Sequence, residues 1–117
     1  SFFLYEKMRL EALEGLALYN QFPNRSKATT GLWRATQIAR WDRLPLEDAQ
    51  VMFGWFRRHA PDEFAKGSRA NGFWGDYENP SAGFIAFKLW AGFSTRDYIY
   101  AGEKNGWKPV KKSKLWT

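Results

Sequence analysis

Apolar residues recur at three- and four-residue steps in several stretches of this chain, a spacing that places them on one face of a helix. The first helix is predicted over 2–19. Its apolar stripe consists of Tyr5, Met8, Ala12, Leu16 and Tyr19. The charged residues that lie mostly off this stripe are Glu6, Lys7, Arg9, Glu11 and Glu14. Gly15 weakens the helix by up to about 1 kcal/mol relative to alanine, but it would permit the close approach of a neighbour.

Two further helices are predicted, one on either side of Pro45. The residue before a proline is disfavoured in a helix, so the helical pattern ends before Pro45, whereas proline itself suits the first turn of the following helix. Thr30 caps the earlier helix, which ends near Trp41. Its buried face is predicted to hold Leu32, Ala35, Ile38 and Ala39, and its outer side mostly Arg34, Gln37 and Arg40. The later helix runs over 46–59, with acids in its first turn and bases in its last, as the helix dipole favours. Its inward residues are Leu46, Ala49, Met52, Phe53 and Phe56, with Trp55 partly exposed to one side.

The stretch 79–92, NPSAGFIAFKLWAG, is the densest apolar run of the chain. It predicts the central helix, because a helix that is apolar nearly all round is buried. Pro80 and Ser81 begin this helix, Lys88 is its one charge, and Gly92 is expected to end it in a left-handed cap. Its main face holds Ala82, Ile85, Ala86, Leu89 and Trp90, widened by Phe84 and Phe87. Ser94 or Thr95 then caps a short last helix that ends at Gly102.

The remaining segments, 21–30, 60–78 and 103–117, lack a helical period. Three glycines and Pro61 make 60–78 a long loop, which is expected to pack on the core through Phe64, Phe73, Trp74 and Tyr77. No alternating pattern predicts a strand. The fold prediction is therefore all-α, a compact bundle of four to five short helices with a long Gly-rich loop and an extended basic C-terminal tail. The helical domain is predicted over 1–103 and the basic aromatic tail over 104–117.

Composition narrows the possible partners. The 117 residues suit one domain, and the absence of cysteine excludes disulfides and cysteine-based zinc sites. No secretory pattern is visible, and no apolar run approaches the roughly 20 residues of a bilayer span, so a membrane partner is not expected. The net charge of +6 and the pI near 9.7 favour acidic partners. Aromatic residues make up 19% of the chain, which suits a compact core together with an adhesive surface.

The sequence contains few residues that could support catalysis or bind a metal. His59 is the one histidine. It would serve either as a general base oriented by Asp62 or Glu63, or as a cation favoured by the dipole at a helix C-terminus. A lone histidine without cysteine has too few partners for zinc, and the sequence contains no HExxH, GxSxG or Walker motif. The expectation is a protein that is not an enzyme and has no metal, cofactor or small-molecule substrate.

Basic residues interleaved with aromatic rings are the candidate binding residues, because cations neutralise phosphates and rings stack on unpaired bases. One group lies along the second helix and its exit: Arg34, Arg40 and Arg43. Another surrounds the start of the long loop: Arg57, Arg58, Lys66 and Arg69, with Trp74 further along it. The tail provides Lys104, Trp107, Lys108, Lys111, Lys112, Lys114 and Trp116. The alternative is solvated charge beside an aromatic core. Groove reading by the helix pair 30–59 is not expected, because its second helix begins with acids.

Four segments together resemble a small helical domain that recurs in tailed-phage and prophage proteins. They are GLALYNQF, the continuous GLWRATQIARWDRLPLEDAQVMFGWFRRHAPDEF, the glycine-rich loop, and PSAGFIAFKLWAG. The resemblance spans about 14–92. The chain departs from it at two places: Phe84 replaces the usual arginine, and Phe93-Ser94 replace a glycine and an acid. The resemblance implies a phage-derived gene and a stand-alone accessory or virion-associated protein, and it supplies no catalytic residues.

Two functions are therefore expected. The first is non-specific binding of nucleic acid by a phage-type accessory or virion-associated protein through its basic and aromatic surfaces. The alternative is a protein-interaction module, either a virion component or an inhibitor of a host protein, that docks on an acidic partner through exposed Trp, Phe and Arg side chains. Either function places the protein in the host cytoplasm or in the virion.

Overall fold

The structure is a computed structural model, and it describes residues 2–26, 29–59 and 72–103. Five helices form the described part of the chain: α1 (Glu6–Gln21), α2 (Thr29–Arg40), α3 (Leu46–His59), α4 (Ala82–Leu89) and α5 (Gly92–Glu103). The predicted all-α fold is confirmed. The predictions for residues 60–71 and for the tail 104–117 concern residues that the structure does not describe.

Two short strands were not predicted. β1 (Phe2–Phe3) pairs antiparallel with β2 (Arg43–Leu44), and the Leu4 amide continues this contact by donating to the carbonyl of Asp42 at 2.9 Å. The first helix therefore begins at Glu6 rather than at residue 2. A pairing of two residues is too short to show an alternating pattern, so the sequence could not indicate it.

Helix α4 is central, as predicted. It packs against α1, α2 and α5, and its residues Ile85 and Leu89 are fully buried. Ser81 provides the N-cap, because its hydroxyl accepts a hydrogen bond from the Phe84 amide at 3.1 Å. The largest fully buried side chains around α4 include Met8, Ile38, Phe53 and Phe56, so three other helices contribute to one core.

The predicted left-handed cap lies one residue earlier than expected. Ala91 takes the positive φ, at 53°, and Gly92 begins α5 directly. A glycine is nevertheless needed at position 92, because a Cβ there would overlap the ring of Phe87. The last helix is accordingly longer than predicted, and Ser94 and Thr95 lie inside it.

Several assignments of helix faces were wrong. Glu11, Arg34 and Gln37 were placed on outer faces, yet all three are buried, while Leu46 and Tyr5 were placed inward and are about half exposed. Each buried polar group has a partner on another helix or one turn away. Hydrophobic periodicity assigns every charge to the surface and has no information about such partners.

The turn after Gly72 brings the chain back to α4. Phe73 and Asn79 are joined by a backbone hydrogen bond of 2.8 Å, and Arg25 donates to the Asn79 side chain and, at 3.0 Å, to the Pro80 carbonyl. Gly72 has a φ of 80° and lies against the Pro80 backbone, where a Cβ would collide.

Three aromatic residues of this segment were predicted to pack on the core. Trp74 packs on Phe87 with ring centroids 4.8 Å apart, which confirms its predicted core contact. Phe73 and Tyr77 are more exposed than predicted.

Candidate functional site

An open groove on the outer side of α2 is the candidate functional site. Its volume is about 480 Å³. We call it the α2 groove, and it is lined by Leu32, Trp33, Thr36, Gln37, Arg40 and Trp41. The spacing of these residues explains the groove, since positions three and four apart on a helix lie on the same face.

Two exposed tryptophans form the walls of the α2 groove. Trp33 is 57% exposed and Trp41 is 44% exposed, although tryptophan is usually well buried. Their ring centroids are 6.3 Å apart and the ring planes meet at 74°, an edge-to-face arrangement. This arrangement leaves ring surface of both tryptophans in contact with solvent.

Arg34 supports Trp33 from within the protein. Its guanidinium carbon lies 5.6 Å from the Trp33 ring and 5.2 Å from the ring of Trp90, so the cation lies against both rings. It donates to the Gln37 carboxamide oxygen and forms an ion pair with Asp48 at 3.4 Å. Burial, partly offset by Asp48, lowers the pKa of Arg34 from its usual value. Arg34 is therefore an internal support of the groove rather than an exposed phosphate contact.

A column of stacked groups extends from Arg34 to the far end of α3. Trp90 stacks on Trp55 with centroids 4.6 Å apart and planes 8° apart, and Trp55 stacks on His59 at 4.5 Å. His59 is exposed at the end of α3, beside Arg57 and Arg58. The column thus joins the FRRH segment of α3 to the LW segment that closes α4, and it connects both to the α2 groove.

The polar groups of the groove differ in what they offer a ligand. Arg40 is exposed and carries hydrogen-bond donors alone, as every guanidinium does. The Thr36 hydroxyl donates to the Leu32 carbonyl at 3.0 Å. The Gln37 carboxamide is buried, and its nitrogen donates to Asp48 at 3.4 Å.

A second polar cluster joins α1 to α4 and α5. Lys88 is 4% exposed, and its ammonium group lies 2.8 Å from Glu14 and 3.6 Å from Glu11. Burial alone would lower the pKa of Lys88, but its contacts with Glu14, Glu11 and Tyr77 outweigh this and raise the pKa. The Glu11 carboxylate also accepts hydrogen bonds from the first amides of α5. These contacts connect helices, and they give Lys88 and Glu11 a structural role.

The predicted binding residues occupy different environments. Arg40, Arg43, Arg57 and Arg58 are exposed, in two groups at the ends of α2 and α3. Arg34 is buried, and Trp74 is half-buried against the core. The others lie outside the described residues: Lys66, Arg69, Lys104, Trp107, Lys108, Lys111, Lys112, Lys114 and Trp116.

Trp33 and Trp41 were missed as candidate binding residues. The signal was present in the sequence, because Trp33, Thr36, Arg40 and Trp41 fall on the face of α2 opposite to the buried Ala35 and Ile38. Large rings on the polar face of an amphipathic helix indicate a contact surface. The prediction that Arg34 lies on this face obscured the signal.

Comparison of the chain with protein-family models, curated proteins and solved structures finds no match. Among the residues that the structure describes, none of the helices combines the length and apolar content required to cross a bilayer. Within the same residues, no three histidine, aspartate or glutamate side chains are grouped as metal ligands.

Proposed function

We propose that this protein is a non-enzymatic, phage-type protein that binds single-stranded nucleic acid without strong sequence readout. The α2 groove carries the proposal, because it places two exposed tryptophan rings beside an exposed arginine. Stacking of a base on an aromatic side chain contributes about 1–3 kcal/mol and tolerates any base, since every base has a π-face. The edge-to-face pair offers such a face at either ring.

The distribution of charge supports the same proposal. Arg40 and Arg43 lie at and just after the C-terminal end of α2, beside the groove. Arg57 and Arg58 lie in the last turn of α3, where the stacked column ends at His59. The net charge of the whole chain is +6, and five of its lysines lie in the segment 104–114. Phosphate neutralisation by these cations would supply affinity, while the rings would favour unpaired bases over a duplex.

Fluorescence anisotropy of a labelled oligonucleotide tests the proposal directly. We expect binding that weakens steeply between 50 and 200 mM salt, as it does for proteins that release counterions from phosphates. The single strand should bind more tightly than the duplex of the same sequence. If neither binds at 50 mM salt, the proposal is wrong.

Point variants assign the binding to the groove. Trp33→Ala and Trp41→Ala should each weaken single-strand binding about 5- to 150-fold, which corresponds to the loss of one stacked base. Leu10→Ala is the matched control, because Leu10 is 54% exposed and does not line the groove. Affinity of the tryptophan variants equal to that of the control would exclude the groove as the site. Removal of residues 104–117 should also weaken binding and reduce its salt dependence.

The second candidate function is a protein-interaction module, and the outer face of α1 favours it. Leu10 and Leu13 lie three positions apart on this face and are 54% and 50% exposed. Exposed apolar side chains that share one face of a helix are typical of protein interfaces. In this case Leu10→Ala and Leu13→Ala would abolish capture of an acidic partner, and removal of residues 104–117 would leave it intact.

The phage origin is part of the proposal and rests on the motif resemblance. The two motif segments are in contact in the structure, since Trp55 stacks between His59 and Trp90. Quantitative mass spectrometry of purified particles and of infected cells would distinguish a virion component from a host-cytoplasmic protein. A fixed copy number per particle is expected for the former and absence from particles for the latter.

A further inference from the structure

We infer that the α2 groove prefers an unpaired base with an amino group at pyrimidine C4 or purine C6, cytosine or adenine, over uracil or thymine, which carry a carbonyl at C4. This inference rests on the proposed function and specifies its ligand. It follows from the hydrogen-bonding groups that line the groove rather than from the rings, because stacking on tryptophan does not distinguish one base edge from another.

Thr36 lies in the middle of the groove. It is one helical turn after Trp33 and one turn before Arg40, so all three side chains share one face. Trp33 and Trp41 are steeply inclined to each other, at 74°, so a base that stacks flat on one ring cannot also stack on the other. Such a base would direct its edge along the groove, where Thr36 is exposed.

The Thr36 hydroxyl can accept a hydrogen bond from a ligand. Its proton is engaged, because the hydroxyl group donates it to the carbonyl oxygen of Leu32 at an O–O distance of 3.0 Å. Two lone pairs remain on the oxygen and can accept hydrogen bonds. The amino groups of cytosine and adenine are donors, whereas uracil and thymine present a carbonyl acceptor at the same place. An acceptor facing an acceptor leaves both without a partner.

The other polar side chains of the groove do not reverse this preference. The Gln37 oxygen already accepts from Arg34, and the Gln37 side chain is buried. Arg40 could donate to a base carbonyl, but the phosphate beside every base competes for the guanidinium with stronger, charge-assisted hydrogen bonds. The volume of about 480 Å³ is sufficient for one base and its sugar.

The test compares labelled oligo(dC) with oligo(dU) of equal length. The two polymers share a backbone and ring size, and they present an amino group and a carbonyl at the same ring position. We expect oligo(dC) to bind roughly 3- to 10-fold more tightly, the range of one hydrogen bond made in one complex and lost in the other. Thr36→Val, which keeps the shape and removes the hydroxyl, should bring the ratio close to 1.

Two further variants complete the design. Thr36→Ser keeps the hydroxyl and should restore the preference for oligo(dC). Thr30→Val makes the same exchange at an exposed position of α2 outside the groove, and it should leave the preference unchanged.

The results that would contradict these expectations have different consequences for the inference and for the proposed function. Equal binding of the two polymers, or tighter binding of oligo(dU), overturns the inference and leaves the proposed function intact. A preference that survives in Thr36→Val overturns the assignment to the hydroxyl. Absence of binding to either polymer at low salt overturns the proposed function and the inference together.

Discussion

At the scale of a residue, Gly15 shows how one missing side chain brings two helices together. A Cβ on Gly15 would lie 2.5 Å from the backbone nitrogen of Leu89 and from the carbonyl carbon of Lys88. The sequence predicted a close approach here, because a glycine within a helical pattern calls for such a reason. The identity of the partner, the backbone of α4, follows from the packing alone.

Gly15→Ala should therefore destabilise the protein. Alanine favours an isolated helix by up to about 1 kcal/mol, yet the clash with backbone atoms cannot be relieved by a side-chain rotation, and overpacking typically costs about 1–3 kcal/mol. Urea denaturation should show a net loss of stability. The reverse exchange at the exposed Ala17, Ala17→Gly, should cost no more than about 1 kcal/mol. A Gly15→Ala variant as stable as the parent would show that α1 and α4 can separate without penalty.

At the scale of an element, α5 depends on a cap that α1 supplies. One oxygen of the Glu11 carboxylate accepts from the Phe93 amide at 2.7 Å, and the other accepts from the Ser94 amide at 2.9 Å. The first amides of a helix have no partner within the helix, and a negative charge there is favoured by the helix dipole. Glu11 thus replaces the local Ser94 or Thr95 cap that the sequence predicted.

Glu11→Gln should loosen α5 because it replaces one accepting oxygen with an NH2 group that faces an amide donor. A buried donor without a partner costs about 1–3 kcal/mol, and the loss of charge beside Lys88 adds to this. We expect a loss of about 2–4 kcal/mol in urea denaturation, with faster amide exchange in α5 than in α3. Glu6→Gln, an exposed exchange on the same helix, should stay within about 0.5 kcal/mol. Equal stability of the two variants would mean that the carboxylate does not cap α5.

At the scale of the molecule, the raised pKa values of two residues predict that the folded state loses stability at alkaline pH. Contacts with Glu14, Glu11 and Tyr77 raise the pKa of Lys88 against the opposite effect of burial, and burial together with Tyr5 raises the pKa of Tyr98. Both groups hold their protons more tightly in the folded state. Their contribution to stability is complete below the ordinary pKa values of tyrosine and lysine, near 10 and 10.5, and is lost as the pH rises through the folded values.

Urea denaturation between pH 8 and pH 11 measures this effect. The free energy of unfolding should be nearly constant to about pH 9.5 and then fall, because the unfolded state releases the protons first. Lys88→Met and Tyr98→Phe should each reduce the slope above pH 10, whereas Lys7→Met, at an exposed position, should keep it. A stability that rises above pH 10 would contradict the two pKa directions.

The sequence predicted that the candidate site combines basic and aromatic residues, but it identified only some of the residues that form it. The exposed Arg40 and Arg43 belong to a basic group that was predicted from the sequence, and Arg34 was counted with them. Arg34 is buried because Trp33 and Trp90 cover it and Asp48 on α3 compensates its charge. These partners come from three elements, so no local pattern contains them.

The sequence by itself determined that the chain is helical and that α4 is central, because helical periodicity and burial are properties of single segments. α3 begins and ends at its predicted residues for the same reason, since Pro45 and the charges at its two ends act locally. The tertiary structure decided which charges are buried, where α5 begins and which rings remain exposed. Those outcomes depend on contacts between segments distant in sequence: Glu11 with α5, Lys88 with α1, and Arg34 between two tryptophans.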